Sequence, residues 1–176
     1  RLQGDWSSDV CSSDLTGGDR ILYQLGRERG NHSFGIWSVE LSANNVGQPS
    51  LLASSRDRAF INPEWSPDGE WIAYAQAEPT TNNAAPRTAE LWMMHAEGEA
   101  QVRLTGGSST ALSPSWALSD RLFFVSNRDG RNGVWSMDMS SAVAAAQLTF
   151  SSTYTAAPAD AEPASDLANV TDAEGQ

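Results

Sequence analysis

The chain has 176 residues, with 11 basic against 22 acidic side chains and a formal net charge of −11. Its length suits one domain with a real core. No apolar run approaches the ~20 residues needed to cross a bilayer, so neither a transmembrane helix nor membrane insertion is expected. Seven Trp, three Tyr and five Phe fall in short apolar runs broken by Gly, Pro, Ser and Asn, which favours an all-β class. The charge is unevenly spread: residues 1–15 carry −2, residues 16–149 hold fourteen acids against ten arginines for −4, and residues 150–176 hold five acids and no base for −5. A mildly acidic body argues against phosphate-backbone binding, so no nucleic-acid partner is expected.

Residues 1–15 are set apart from the fold. Asp5-Trp6-Ser7-Ser8-Asp9-Val10-Cys11-Ser12-Ser13-Asp14-Leu15 resembles the in-frame translation of a short-read sequencing adapter; the alternative is a Ser/Asp-rich disordered leader. The lone cysteine, Cys11, lies inside it, so redox compartment cannot be read from cysteine usage.

The clearest element of the body is Ile61–Ser66, Pro67-Asp68-Gly69, Glu70–Gln76, which reads as strand, turn, strand. Pro67 presets φ at the first central position, Asp68 suits the second, and Gly69 accepts positive φ without a Cβ penalty. The expectation is a type I turn with a left-handed glycine, giving a three-residue hairpin loop with a G1 bulge. A polar loop, Ala77–Ala89, leads to Glu90–Met94, and a Glu97-Gly98-Glu99 turn to Ala100–Thr105, making four strands.

The same pattern recurs on both sides. Before it stand Arg20–Gln24, Gly35–Val39 and Pro49–Leu52, with the opening arm missing. After it come Leu112–Trp116, Leu122–Val125, the loop Ser126–Gly130, Gly133–Asp138 and Ala146–Thr149. Tyr23, Tyr74 and Phe124 take equivalent places, as do Trp37, Trp92 and Trp135. Four strands per ~40–50 residues is the signature of propeller blades. Trp71–Ala75, Leu91–Met94 and Leu122–Val125 are apolar on both strand faces, as a blade between two neighbours would be. No amphipathic helix of the kind a parallel α/β fold needs is visible, and Ala142–Ala146 is too short to stand alone.

Pro63, Trp65-Ser66-Pro67-Asp68-Gly69, Ile72-Ala73-Tyr74, Leu91-Trp92-Met93 and Arg103-Leu104-Thr105 together resemble the TolB-type β-propeller repeat, over roughly Gly17 to Thr149. Ser126-Asn127-Arg128-Asp129-Gly130 is similar to that family's loop between second and third strands. The third copy departs from the pattern at Trp116-Ala117-Leu118-Ser119-Asp120, where the turn's proline and glycine are lost. The resemblance implies a partial all-β propeller of about three four-stranded antiparallel blades whose ring is not closed. The chain is expected to be a fragment, with bare apolar end faces and poor solubility alone. The stretch Thr155–Ala159 begins like a further arm, but residues 150–176 read as an acidic, Ala-rich disordered tail.

Catalytic chemistry is hard to place. His32 and His95 are far apart in the pattern, and no Cys/His spacing suits zinc. There is no Gly-x-Ser-x-Gly nucleophile elbow and no phosphate-cradling glycine loop. Glu64 and Glu70 flank Asp68 as a conceivable carboxylate or calcium group, but turn building accounts better for Asp68. Trp65, Trp71, Trp92, Trp116 and Trp135 could stack a sugar or base; their recurrence favours packing. Pro63, Trp65, Ser66, Pro67, Asp68 and Gly69 are therefore read as structural, and Arg128, Asp129 and Arg131 as loop candidates for partner contact. The expectation is a non-enzymatic, cofactor-free, protein-binding module. The resemblance implies a periplasmic or otherwise extracytoplasmic location. Alternatives are the gating propeller of a prolyl-oligopeptidase-like serine peptidase and the sensory propeller of a membrane-anchored transcriptional regulator.

Overall fold

The computed structural model describes residues 12–14, 19–25, 34–79, 86–118 and 120–148. Cys11, His32 and the stretch from Thr149 onwards lie outside them. Among the described residues, twelve strands form three antiparallel sheets. The first holds β1 (Ser12–Asp14), β2 (Arg20–Leu25), β3 (Phe34–Ser42), β4 (Asn45–Val46) and β5 (Ser50–Ser55). The second runs in the order β6 (Ala59–Trp65), β7 (Trp71–Ala77), β8 (Ala89–His95), β9 (Val102–Arg103). The third is β10 (Ala111–Trp116), β11 (Arg121–Ser126), β12 (Gly133–Asp138). These are three blades of a partial β-propeller.

Register makes the blades superimposable. Tyr23 pairs with Trp37, Tyr74 with Trp92, and Phe124 with Trp135, each an aromatic of the blade's second strand directly across from a tryptophan of its third. First strands agree too. Asn62 (φ 50) and Ser113 (φ 51), each preceding a proline, hold left-handed backbone at the two places where β6 and β10 slip register against β7 and β11. Pro63 and Pro114 therefore sit in matching bulges, where a missing N–H interrupts no ladder.

The core lies between the blades. Trp71, Ala73, Ala75, Leu91 and Met93 face the third blade, meeting Leu122, Phe124 and Met139. The alternate residues Ile72, Tyr74 and Met94 face the first, meeting Leu22, Ile36 and Ala53. Every side chain of Trp71–Ala75 is buried, which is why that strand is apolar on both faces.

Four features differ from the sequence reading. The opening arm of the first blade is present: Ser12–Asp14, inside the stretch set aside as a leader, pairs with β2. A ladder is made by backbone groups, so composition gave no sign of it. In place of a fourth strand at Ala146–Thr149, residues 140–148 form a helix. Asp138 Oδ1 accepts from Ser140 N at 2.9 Å and Val143 N donates to Met139 O, starting it one turn before the Ala run. Met139, Ala142, Val143 and Ala146 then form a core-facing stripe at helical spacing. The fourth strand of the second blade is also shorter than read, Val102–Arg103 alone. Finally, the Ser66 hairpin is longer than expected. Gly69 (φ 75) donates to Ser66 O as a type I turn requires, but Ser66 N donates to Trp71 O, leaving four residues, 67–70, in the loop.

Candidate functional site

The residues read as a structural motif are placed as structure. Ser66 Oγ accepts from Trp71 N (2.9 Å) and donates to Asp68 Oδ1 (2.5 Å), which also accepts from Glu70 N (3.0 Å). Both partners of Asp68 belong to its own turn. Pro63 is buried in its bulge and Trp65 is buried between the first two blades. Among the described residues no group of three or more His, Cys, Asp or Glu could hold a metal. Of the five tryptophans considered for a stacking platform, Trp65 and Trp71 are buried and Trp92, Trp116 and Trp135 half-buried, their Nε1–H groups turned away from water. They pack blades together.

The three loop candidates share one exposed turn. In the turn after β11, Gly130 (φ 89) donates to Asn127 O, and Arg131 N donates to Asp129 Oδ1 at 3.2 Å. Arg128 folds back: its guanidinium lies 4.8 Å from the Phe124 ring centroid and 5.1 Å from that of Trp135, and its Nε donates to Ser126 Oγ. Such stacking suits arginine's planar, weakly hydrated cation. Arg128 thus clamps the third blade's aromatic pair while staying exposed, and Asp129 and Arg131 are exposed beside it at the tip.

Two joints between blades carry polar chemistry that sequence reading missed. Arg20, on β2, lies over the Trp65 ring (5.1 Å) and reaches Glu97 Oε1 of the β8–β9 turn at 3.2 Å. Glu64, on β6, accepts from Trp116 N (3.2 Å) and Ser115 Oγ (3.4 Å) of β10. The residues that pair here come from different blades, so no local spacing announces them. His95 is likewise structural, its ring edge-to-face with Trp71 at 5.5 Å.

Burial pushes the Glu64 carboxyl above the usual glutamate range, against the two hydrogen bonds that favour its anion. A raised folded value means Glu64 contributes stability at low pH that is lost as pH rises from about 4 through the folded value. Glu64→Gln keeps an acceptor for Trp116 N and removes the half-buried charge. Thermal melts should show the glutamine variant gaining on the parent between pH 4 and pH 7. Glu64→Ala, which leaves the Trp116 N–H unmatched, should cost about 1–3 kcal/mol at either pH. An offset for glutamine that is the same at both pH values would contradict the assignment. Asp138 is held below the usual aspartate range by the Ser140 hydroxyl and amide at the helix start.

No family model and no curated protein matches the sequence. Solved structures do. The chain is similar to a TolB structure from Agrobacterium tumefaciens at 20% identity, with 74% of this chain and 46% of that one covered and a TM-score of 0.57. It is similar to prolyl oligopeptidase B from Galerina marginata at 12% identity, covering 73% and 18%, TM-score 0.52. It is also similar to a puromycin-hydrolyzing peptidase of Mycobacterium tuberculosis at 14% identity, covering 72% and 20%, TM-score 0.52. These likenesses show the fold, a TolB-like partial β-propeller. The chain spans under half the length of the TolB structure and about a fifth of each peptidase.

Proposed function

We propose that this chain is a non-catalytic, protein-binding propeller module, TolB-like and extracytoplasmic, that takes its partner on exposed loops at the blade ends. The observation that supports it is the loop after β11. Its first arginine is clamped on two rings, which holds the backbone and presents Asp129 and Arg131 outward on a fixed turn. A preordered loop loses little conformational entropy on docking. Among the described residues no helix is long and apolar enough to cross a membrane.

A photo-crosslinking residue at position 131, with one at the exposed Asn44 as control, tests this. The expected result is a discrete adduct with a protein of a bacterial periplasmic extract at position 131 alone. Arg131→Glu should abolish competition by the unlabelled chain. Equal labelling at both sites, or none, would sink the reading.

A second reading, the gating propeller of a serine peptidase, is favoured by the likeness to the two peptidases. It expects a hydrolase domain with a nucleophile elbow in the reading frame joined to this chain, and flanking DNA sequence decides it.

A further inference from the structure

The strands of the three blades run between two common ends. At one end of the second blade Ala59 pairs with Ala77 and Ala77 with Ala89; at the other, Ile72 pairs with both Trp65 and Met94. Ala89 bridges to Thr110, whose amide donates to Asn127 Oδ1 at 2.8 Å, so corresponding ends of the second and third blades are joined. The connection from β5 enters β6 at Ala59, on this same side. The turn after β11 stands there too, between the paired Ser126 and Gly133. This is the loop end of the molecule.

Charge is divided between the two ends. The loop end carries five exposed arginines, Arg56, Arg58, Arg87, Arg128 and Arg131, against three acids, Asp57, Glu78 and Asp129. The opposite end carries two arginines, Arg20 and Arg121, against nine acids, which fall at Asp19, Glu40, Glu64–Glu70, Glu97–Glu99, Asp120 and Asp138. Arg103 and Glu90 pair with each other and cancel. Among the described side chains the loop end is therefore +2 and the opposite end −7. Strand β7 spans seven residues, about 20 Å, which exceeds two Debye lengths of about 8 Å at physiological salt. A group docked on the loop end is screened from the acids at the other.

We propose that the loop end docks a carboxylate-rich segment of another protein, which rests on the protein-binding reading above and gives the partner its chemistry. Arginine presents a planar fork that matches a carboxylate with two parallel hydrogen bonds. Asp57 stands between Arg56 and Arg58, and Asp129 between Arg128 and Arg131, so the positive field is broken up. A net +2 is too little for a phosphate backbone, or for an anionic bilayer, which takes clusters of about 4–8 basic residues. Spaced arginines suit carboxylates presented singly along a polypeptide. The acidic end repels the same segment, so the partner is accepted on one side only.

Fluorescence anisotropy of a labelled Glu-Ser repeat peptide against the full chain tests it. Gln-Ser and Lys-Ser peptides and a single-stranded DNA oligonucleotide are compared in the same way, and phosphatidylglycerol vesicles by co-sedimentation. The expected result is saturable binding of the Glu-Ser peptide alone, weakening as salt rises. Arg58→Glu combined with Arg131→Glu should raise its dissociation constant at least about tenfold. The circular dichroism of this variant should stay that of the parent, since residues 58 and 131 hold their turns through backbone amides, on Ser55 Oγ and Asp129 Oδ1. Arg121→Glu, at the opposite end, is the control and should leave the constant within about twofold. Glu-Ser binding that is absent, matched by the Gln-Ser peptide, or weakened as much by Arg121→Glu would overturn the proposal, as would tighter binding of DNA or vesicles. A crosslinked adduct at position 131 alongside any of these results would leave protein binding standing and remove only the acidic partner.

Discussion

Gly98→Ala should lower stability by about 2–5 kcal/mol, read as a shift in urea midpoint at unchanged m-value. Gly98 holds φ 92 in the β8–β9 turn, and its amide donates to His95 O. Left-handed backbone alone costs a side chain about 1–2 kcal/mol. Here a Cβ would also overlap the Leu52 carbonyl oxygen of β5, in the neighbouring blade, with the Leu52 Cα and carbonyl carbon at 3.0 Å. Relief requires blade one to move against blade two, which adds roughly the 1–3 kcal/mol of overpacking. Gly130→Ala is the control, since it has φ 89 and nothing within 4 Å of the added Cβ. Equal losses at the two glycines would show that the turn, and not the approach of two blades, sets the requirement.

The second large effect is expected at Trp71. It is 1% exposed, packs in the cluster shared by the second and third blades, and meets His95 edge-to-face. Truncation to alanine should cost about 3–5 kcal/mol, by lost transfer energy and the cavity left behind. Trp71→Phe should cost less than half of that. The indole Nε1–H has no acceptor among the described residues, so phenylalanine forfeits volume without breaking a hydrogen bond. Phenylalanine as damaging as alanine, in urea unfolding followed by far-ultraviolet dichroism, would contradict a packing role.

What could be read from the residues alone follows from where their interactions reach. Trp71–Ala75 announced a strand buried on both faces, because the burial imprints itself on five consecutive side chains. The Gly69 turn was legible because φ 75 suits glycine, whereas the extra loop residue was not. There the Ser66 hydroxyl replaces a backbone acceptor for Trp71 N. The repeat suggests a strand at Ala146–Thr149 because the third blade aligns with the second, and Ala142–Ala146 alone is too short for a helix. The signal that lengthens it to 140–148 is Asp138 at the start and Met139 and Val143 at helical spacing, facing the core of another blade. Arg128, Asp129 and Arg131 all lie in the exposed turn after β11, where a loop assignment puts them; the contact of Arg128 with Phe124 and Trp135 was not legible, since those rings are brought close only by the β11–β12 ladder. Glu64 and Arg20 were invisible as joints because each finds its partner on another blade.

The paired bulges at Asn62-Pro63 and Ser113-Pro114 bear on how this chain meets others of its kind. Both lie on β6 and β10, strands at the margin of their sheets, where unpaired amides and carbonyls would otherwise invite a foreign strand. Left-handed backbone kinks the margin, and proline removes one donor from it. At other margins β9 spans two residues, too short to template a ladder, whereas β12 spans six. Growth by strand addition, the route to cross-β fibres, is thus discouraged at β6, β9 and β10 but not at β12. A foreign strand would therefore be met at the outer edge of the third blade, where Gly133–Asp138 carries neither a proline nor a left-handed residue.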